Sequence, residues 1–140
     1  MSRPSFSAVK KHYKTNPSSI HSCSMYFPNT CAIRMSEALS AASESTKARI
    51  SGFPRNKCPH GYLRGAQDLG AALRSAWGTR DFGWSGSGAT PKTAMGVQGV
   101  ICFMNIPGFG GQGHIDLWDK DHAIGSEYWD AGTIWLWKLA

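Results

Sequence analysis

Apolar residues recur at helical spacing three times in the first half of the chain, then as alternating or continuous runs in the second. Phe6, Val9 and Tyr13 define one face of a short helix predicted from about Ser5 to Lys14. Ala32, Met35, Leu39 and Ala42 define a second, opening at Cys31 and extending to about Ser43. Ala66, Leu69, Leu73 and Ala76 define a third, from about Gly65 to Trp77. Between the second and third helices lies a long predicted loop containing Gly52-Phe53-Pro54 and Cys58-Pro59-His60-Gly61. Gly78 to Gly96, rich in Gly, Ser and Thr, reads as a further loop, whose Phe82 and Trp84 either line a groove or anchor it to the core.

Four strands are predicted beyond it. Gly99 to Met104 is a continuous apolar run, the mark of a central strand buried on both faces. After the glycine-rich Pro107-Gly108-Phe109-Gly110-Gly111 comes Gly113 to Trp118. A turn at Asp119 to His122 leads into Ala123 to Trp129, and Thr133 to Trp137 closes the sheet. Helices first and antiparallel strands second indicate an α+β fold. With 140 residues, 41% of them hydrophobic, the chain fits one globular domain with a sizeable core, spanning 1–140.

Charge and cysteine usage exclude more than they specify. The net charge of +6 is scattered, with no basic stripe interleaved with aromatics and no nucleic-acid motif. No apolar run approaches membrane-spanning length. Met1 to Phe6 lacks the apolar stretch of a secretory signal, which leaves the cytoplasm or export by a route that does not read such a signal. Four cysteines are too few for a disulfide framework at this length. Cys102 reads as a buried core thiol. Cys23 and Cys58 pair only in an oxidising compartment, and their neighbours His21 and His60 do not give a common zinc spacing.

The chemistry concentrates at Cys31. Pro28 ends whatever precedes it, and Asn29 and Thr30 are capping types, so Cys31 falls in the first turn of its helix. There, unpaired N–H groups and the helix dipole favour thiolate, and the same N–H groups can stabilise an oxyanion. Asn29 or Tyr26 either supplies a second oxyanion donor or serves only in capping and packing. A cysteine nucleophile needs a histidine, and among five candidates His114 has the most fixed position, opening a strand after a glycine-rich bend. Strand alternation puts His114 and Asp116 on one face and Ile115 and Leu117 on the other. A turn centred on Lys120 and Asp121 makes residues whose numbers sum to 241 face each other. Glu127 then lies opposite His114 and is the expected group to orient its ring. A one-residue slip would substitute Ser126 or Tyr128. Asp116 is close, but its place on the histidine's own strand makes poorer orienting geometry.

The blocks Asn29-Thr30-Cys31-Ala32-Ile33-Arg34-Met35-Ser36, Gly113-His114-Ile115-Asp116-Leu117-Trp118 and Gly132-Thr133-Ile134-Trp135 occur in that order. Together with the opening Arg3-Pro4-Ser5-Phe6, they resemble the type VI secretion amidase effectors of family four. The resemblance spans almost the whole chain, with Cys31 and His114 about eighty residues apart. It implies an NlpC-type papain-like fold, with Cys31 as nucleophile and His114 as general base in a single catalytic amidase domain. It implies a toxin made in a donor cytoplasm and delivered to a rival's periplasm, cutting the peptidoglycan stem peptide between γ-D-glutamate and meso-diaminopimelate. The implied partners are the secretion machinery and a cognate immunity protein. No cofactor, metal, nucleic acid or membrane insertion is implied.

The resemblance also implies an aspartate on the strand after the histidine strand. Without gaps that position falls on Gly125, and the family's cysteine pair falls on Ala123 and Glu127. The orienting role is thus left to Glu127, a neighbouring acid, Ser126, a backbone carbonyl or water. Three other readings of the chain remain. One is the same chemistry at the diaminopimelate–D-alanine crosslink. Another is a non-catalytic domain gripping an anionic envelope polymer. The last is acyl transfer by the same Cys–His pair.

Overall fold

The computed structural model describes residues 3–14 and 31–140. Four helices precede a five-stranded sheet: α1 (Phe6–His12), α2 (Cys31–Ala42), α3 (Glu44–Gly52), α4 (Ala66–Trp77), β1 (Phe82–Trp84), β2 (Val97–Met104), β3 (His114–Lys120), β4 (His122–Ala123) and β5 (Thr133–Lys138). The strand order is β1-β5-β2-β3-β4, and every pairing is antiparallel. The expected α+β class therefore holds. None of the helices is long and apolar enough to cross a membrane, among the described residues.

The alternation of β2 explains the layers. Val100, Cys102 and Met104 pack with Val9, Met35, Leu39, Leu69 and Leu73 in a core between sheet and helices. Ile101 and Phe103 face the opposite way, into a second core with Trp118, Trp129, Ile134 and Leu136. Both cores are apolar, so this strand reads as one apolar run. α2 is buried on more than the single face its periodicity predicts. Ala32, Met35 and Leu39 join the main core, while Ile33 packs with Cys58 and Tyr62 on another side. A helix so enclosed is a rigid mount for its first residue. The two ends of the chain are tied together, since the Phe6 N–H donates to the Ala140 carbonyl at 2.7 Å.

The structure departs from the sequence expectations at three places. α3 occupies a predicted loop: it is mostly polar and buries only Thr46 and Ile50, so it shows no apolar stripe. Local chemistry forms it instead, with the Ser43 hydroxyl accepting from the Thr46 N–H at 3.2 Å and Glu44 in the first turn. β1 also lies in a predicted loop, where Phe82 and Trp84 anchor it against the second core. The third departure bears on the site: β4 is two residues long rather than reaching Trp129.

Candidate active site

Glycine sets the start of the histidine strand. Gly113 has φ +128°, and a Cβ there would lie 2.1 Å from the Phe103 carbonyl oxygen. Only glycine lets the chain pass so close to β2 and deliver His114 as the first residue of β3. His114 lies opposite Phe103 in the ladder, their rings near-parallel with centroids 6.3 Å apart. Because β4 stops at Ala123, the beginning of β3 is the edge of the sheet, and there the first turn of α2 meets it.

Cys31, buried at the start of α2, and His114 interact directly. His114 Nε2 lies 2.8 Å from Asp116 Oδ2, which leaves Nδ1 as the nitrogen that meets the Cys31 sulfur. The His114 side chain is 13% exposed and that of Asp116 is fully buried. Burial opposes a charged imidazole, but hydrogen bonds to Asp116 and Cys31, with the negative charge of both, outweigh it. His114 is held at a pKa of about 9. Cys102 is the contrast: burial first, then the Cys31 charge, pushes its thiol far above the ordinary range, as expected of an inert core residue.

Asp116 is densely held. Its Oδ1 accepts from the Leu117 N–H at 2.8 Å, and its Oδ2 from the Gly125 N–H at 2.7 Å. Tyr13, at the end of α1, approaches the same carboxylate from the helix side. Burial and then the Asp116 charge raise the phenol well above its usual pKa, against the nearby Arg34 cation, so Tyr13 remains a neutral donor. These groups fix the carboxylate toward the imidazole, the arrangement that orients a catalytic histidine through its far nitrogen.

Of the expected residues, the structure brings Cys31 and His114 together and leaves Glu127 elsewhere. The predicted register is present, with Trp118 opposite Ala123 and Asp119 opposite His122. It continues through one further bond, from the Ile124 N–H to the Leu117 carbonyl at 3.0 Å, and then ends. The Gly125 N–H, which a continued ladder would aim away from β3, instead reaches the Asp116 side chain. Glu127 then folds back, accepting from the Ala123 N–H at 3.0 Å and the Trp129 indole at 2.8 Å. It braces this turn, while Asp116 takes the place expected of it beside His114. The signal for Asp116 was the alternation that puts it on the histidine's face. Tyr26 and Asn29, like His21 and Cys23, lie outside the described residues. Cys58 is buried and His60 exposed, and no group of three metal-ligating side chains occurs among the described residues.

Gly125 is shaped to this arrangement. A Cβ at that position would lie 2.7 Å from Asp116 Oδ2 and 3.7 Å from His114 Nε2. The carboxylate supplied from β3 occupies the space a side chain on residue 125 would need. Gly125→Ala should therefore push Asp116 from the imidazole and lower kcat at least about 10-fold, with a stability loss of about 1–3 kcal/mol from overpacking. Steady-state kinetics on fully folded protein checks this. An unchanged kcat would mean that the turn yields and the carboxylate stays.

A cysteine at the start of a buried helix, set against a histidine at the edge of an antiparallel sheet, defines a papain-like α+β domain. The model of the family described as type VI secretion system amidase effector protein 4 matches residues 27–137. The chain belongs to that family. Among solved structures, the effector Tae4 from Enterobacter cloacae is similar at 22% identity and a TM-score of 0.74, with 100% of each chain covered. The effector–immunity complex Tae4–Tai4 from Salmonella Typhimurium matches at 22% identity and a TM-score of 0.74, over 99% of this chain and 100% of that one. Salmonella Tae4 bound to the Enterobacter cloacae immunity protein Tai4 matches at 21% identity and a TM-score of 0.73, with 99% and 100% covered. A comparison with curated proteins gives no match.

Proposed function

We propose that this protein is a cysteine amidase that hydrolyses the bond between γ-D-glutamate and meso-diaminopimelate in the peptidoglycan stem peptide. The observation that carries the reading is the Cys31–His114–Asp116 line at the start of α2, in a chain of the amidase effector family. Residues 1–140 then act as a single catalytic domain.

The Cys31 thiolate attacks the γ-carbonyl carbon, while His114 holds the proton. The oxygen of the tetrahedral intermediate becomes anionic. The Cys31 backbone N–H, at the positive end of α2, stabilises it, a contribution of about 3 kcal/mol per well-placed donor. His114 passes its proton to the amine of diaminopimelate as the C–N bond breaks, leaving a thioester. His114 next takes a proton from water as the water attacks the thioester. Collapse expels the Cys31 sulfur and leaves a free γ-carboxylate. Asp116 holds the ring throughout and stabilises its charge.

Family membership supports delivery by type VI secretion, and we place the site of action in the periplasm of the recipient cell. A cognate immunity protein fits the same reading, since the similar Salmonella and Enterobacter effectors were solved as complexes with Tai4. Digestion of purified peptidoglycan followed by mass spectrometry of the muropeptides tests the bond. The expected products end in γ-D-glutamate on one side and begin with a free diaminopimelate amine on the other. Cleavage confined to diaminopimelate–D-alanine crosslinks would refute the bond assignment while keeping the chemistry.

A further inference from the structure

One feature of the sequence has no part in this chemistry: a phenylalanine set among glycines in Pro107-Gly108-Phe109-Gly110-Gly111. A short turn, with the Phe109 N–H donating to the Ile106 carbonyl at 3.1 Å, carries Phe109 back over the sheet edge. Its ring meets Tyr128 edge to face, with centroids 5.5 Å apart. Tyr128 in turn meets the His114 ring at 5.5 Å and 67°. Phe103 closes the inner side, 6.0 Å from Tyr128 and stacked on His114. A continuous aromatic wall thus runs outward from the imidazole, first Tyr128 and then Phe109. Phe103 is buried, whereas Tyr128 and Phe109 are half-buried and keep part of their surface open.

Position decides what such a wall would touch. Cys31 and His114 define the two ends of the scissile bond. The carbonyl carbon sits at the sulfur, and the leaving amine sits at the imidazole that protonates it. Groups that flank His114 therefore lie beside the residue that donates the amine. The wall offers no charge. Its two open rings form a corner suited to a run of methylenes, and two ring-to-ring steps of 5.5 Å accommodate an extended side chain beyond the imidazole.

We propose that Phe109 and Tyr128 form the subsite for the aliphatic side chain of the leaving-amine residue and set specificity there. This rests on the amidase reading above and deepens it: the three methylenes of diaminopimelate would lie along the two rings, with its polar end beyond Phe109. The glycines on either side of Phe109 keep the backbone bare, so the ring alone defines the outer limit of the subsite. A residue with a short side chain would leave the wall uncovered and bind less tightly.

Binding to the Cys31→Ala protein, which cannot turn substrate over, tests the subsite separately from catalysis. The probes are L-Ala-γ-D-Glu-meso-diaminopimelate and L-Ala-γ-D-Glu-Gly, titrated by calorimetry. With Phe109 and Tyr128 intact, the first should bind at least about 10-fold more tightly, as expected for several methylenes in an apolar pocket. Adding Phe109→Ala or Tyr128→Ala should shrink the ratio to about threefold or less, while Phe109→Leu, which restores apolar surface, should recover part of it. Equal affinities in the protein with both rings, or a ratio unmoved by either alanine variant, would overturn the proposal. Preserved discrimination in a parent protein that releases no amine from either peptide would support the subsite and refute the amidase reading instead.

Discussion

Cys31→Ala is expected to bring amide release from peptidoglycan down to background, a loss on the order of 10⁴-fold or more. The thiol is fixed in the first turn of the largely buried helix α2. Neither of the other described cysteines can substitute. Cys102, on β2, turns its sulfur toward α4, 3.5 Å from the Ala66 carbonyl, and burial holds it in the unreactive thiol form. Cys58 is buried beside Ile33 and Tyr62. Removing one sulfur atom from a site at the core margin should cost about 1 kcal/mol, so the variant should keep a cooperative melt. The measurement is release of new amino groups from purified peptidoglycan, with circular dichroism on the same sample. Hydrolysis persisting above about 1% of the wild-type rate would remove Cys31 from the reaction, since loss of a nucleophile leaves far less than that.

How much of this was legible depends on whether the signal is periodic or conditional. α1, α2, α4 and the strands β2, β3 and β5 announce themselves because each buries a face or a whole run, and burial writes apolar residues at regular spacing. The Cys31 placement was readable from local chemistry, since Pro28 and the capping types Asn29 and Thr30 put it in the first turn of that helix. α3 was not, because it is held by the Ser43 cap and its charges, with little apolar surface to give it a stripe. The third member of the site failed differently. The hairpin register was correct, but pairing from register presumes that the strand continues. β4 stops because the chain turns at Gly125 and brings its N–H onto the Asp116 carboxylate, where a regular ladder would aim that N–H away from β3. That turn is set by where the buried carboxylate sits in three dimensions, which spacing does not encode. The same observation shows why a carboxylate on the histidine's own strand can orient the ring. Turning of the chain at Gly125 supplies an N–H from the opposite side, and Leu117 and Tyr13 hold the carboxylate from the others.

Asp116→Asn should reduce kcat about 10²- to 10⁴-fold, the range expected when an orienting carboxylate is neutralised. Two effects combine. The amide keeps the size of the carboxylate but cannot accept at both ends: its NH₂ must face the Leu117 N–H, or else the Gly125 N–H together with the imidazole. Loss of the negative charge also removes part of what keeps His114 protonated. The sign of the pH effect follows. In the wild type His114 is held up at about 9, so its imidazolium persists until the pH rises through that value. A raised histidine pKa also stabilises the fold, fully below the ordinary value of about 6.5 and progressively less as pH climbs through the folded one. In the variant the pKa moves down toward the ordinary range. The alkaline limb of kcat should therefore shift to lower pH, and the stability deficit against wild type should be largest in acid and shrink as pH rises toward 9. Part of that deficit, about 1–3 kcal/mol from a mismatched buried donor, is independent of pH. Glu127→Gln separates orientation from general damage to this region, because Glu127 braces the turn without touching the imidazole. It should lower the melting temperature but leave the alkaline limb in place. If Asp116→Asn retained kcat within about threefold and an unshifted limb, the imidazole would need no carboxylate at all, since Asn would then be orienting it as well as Asp does.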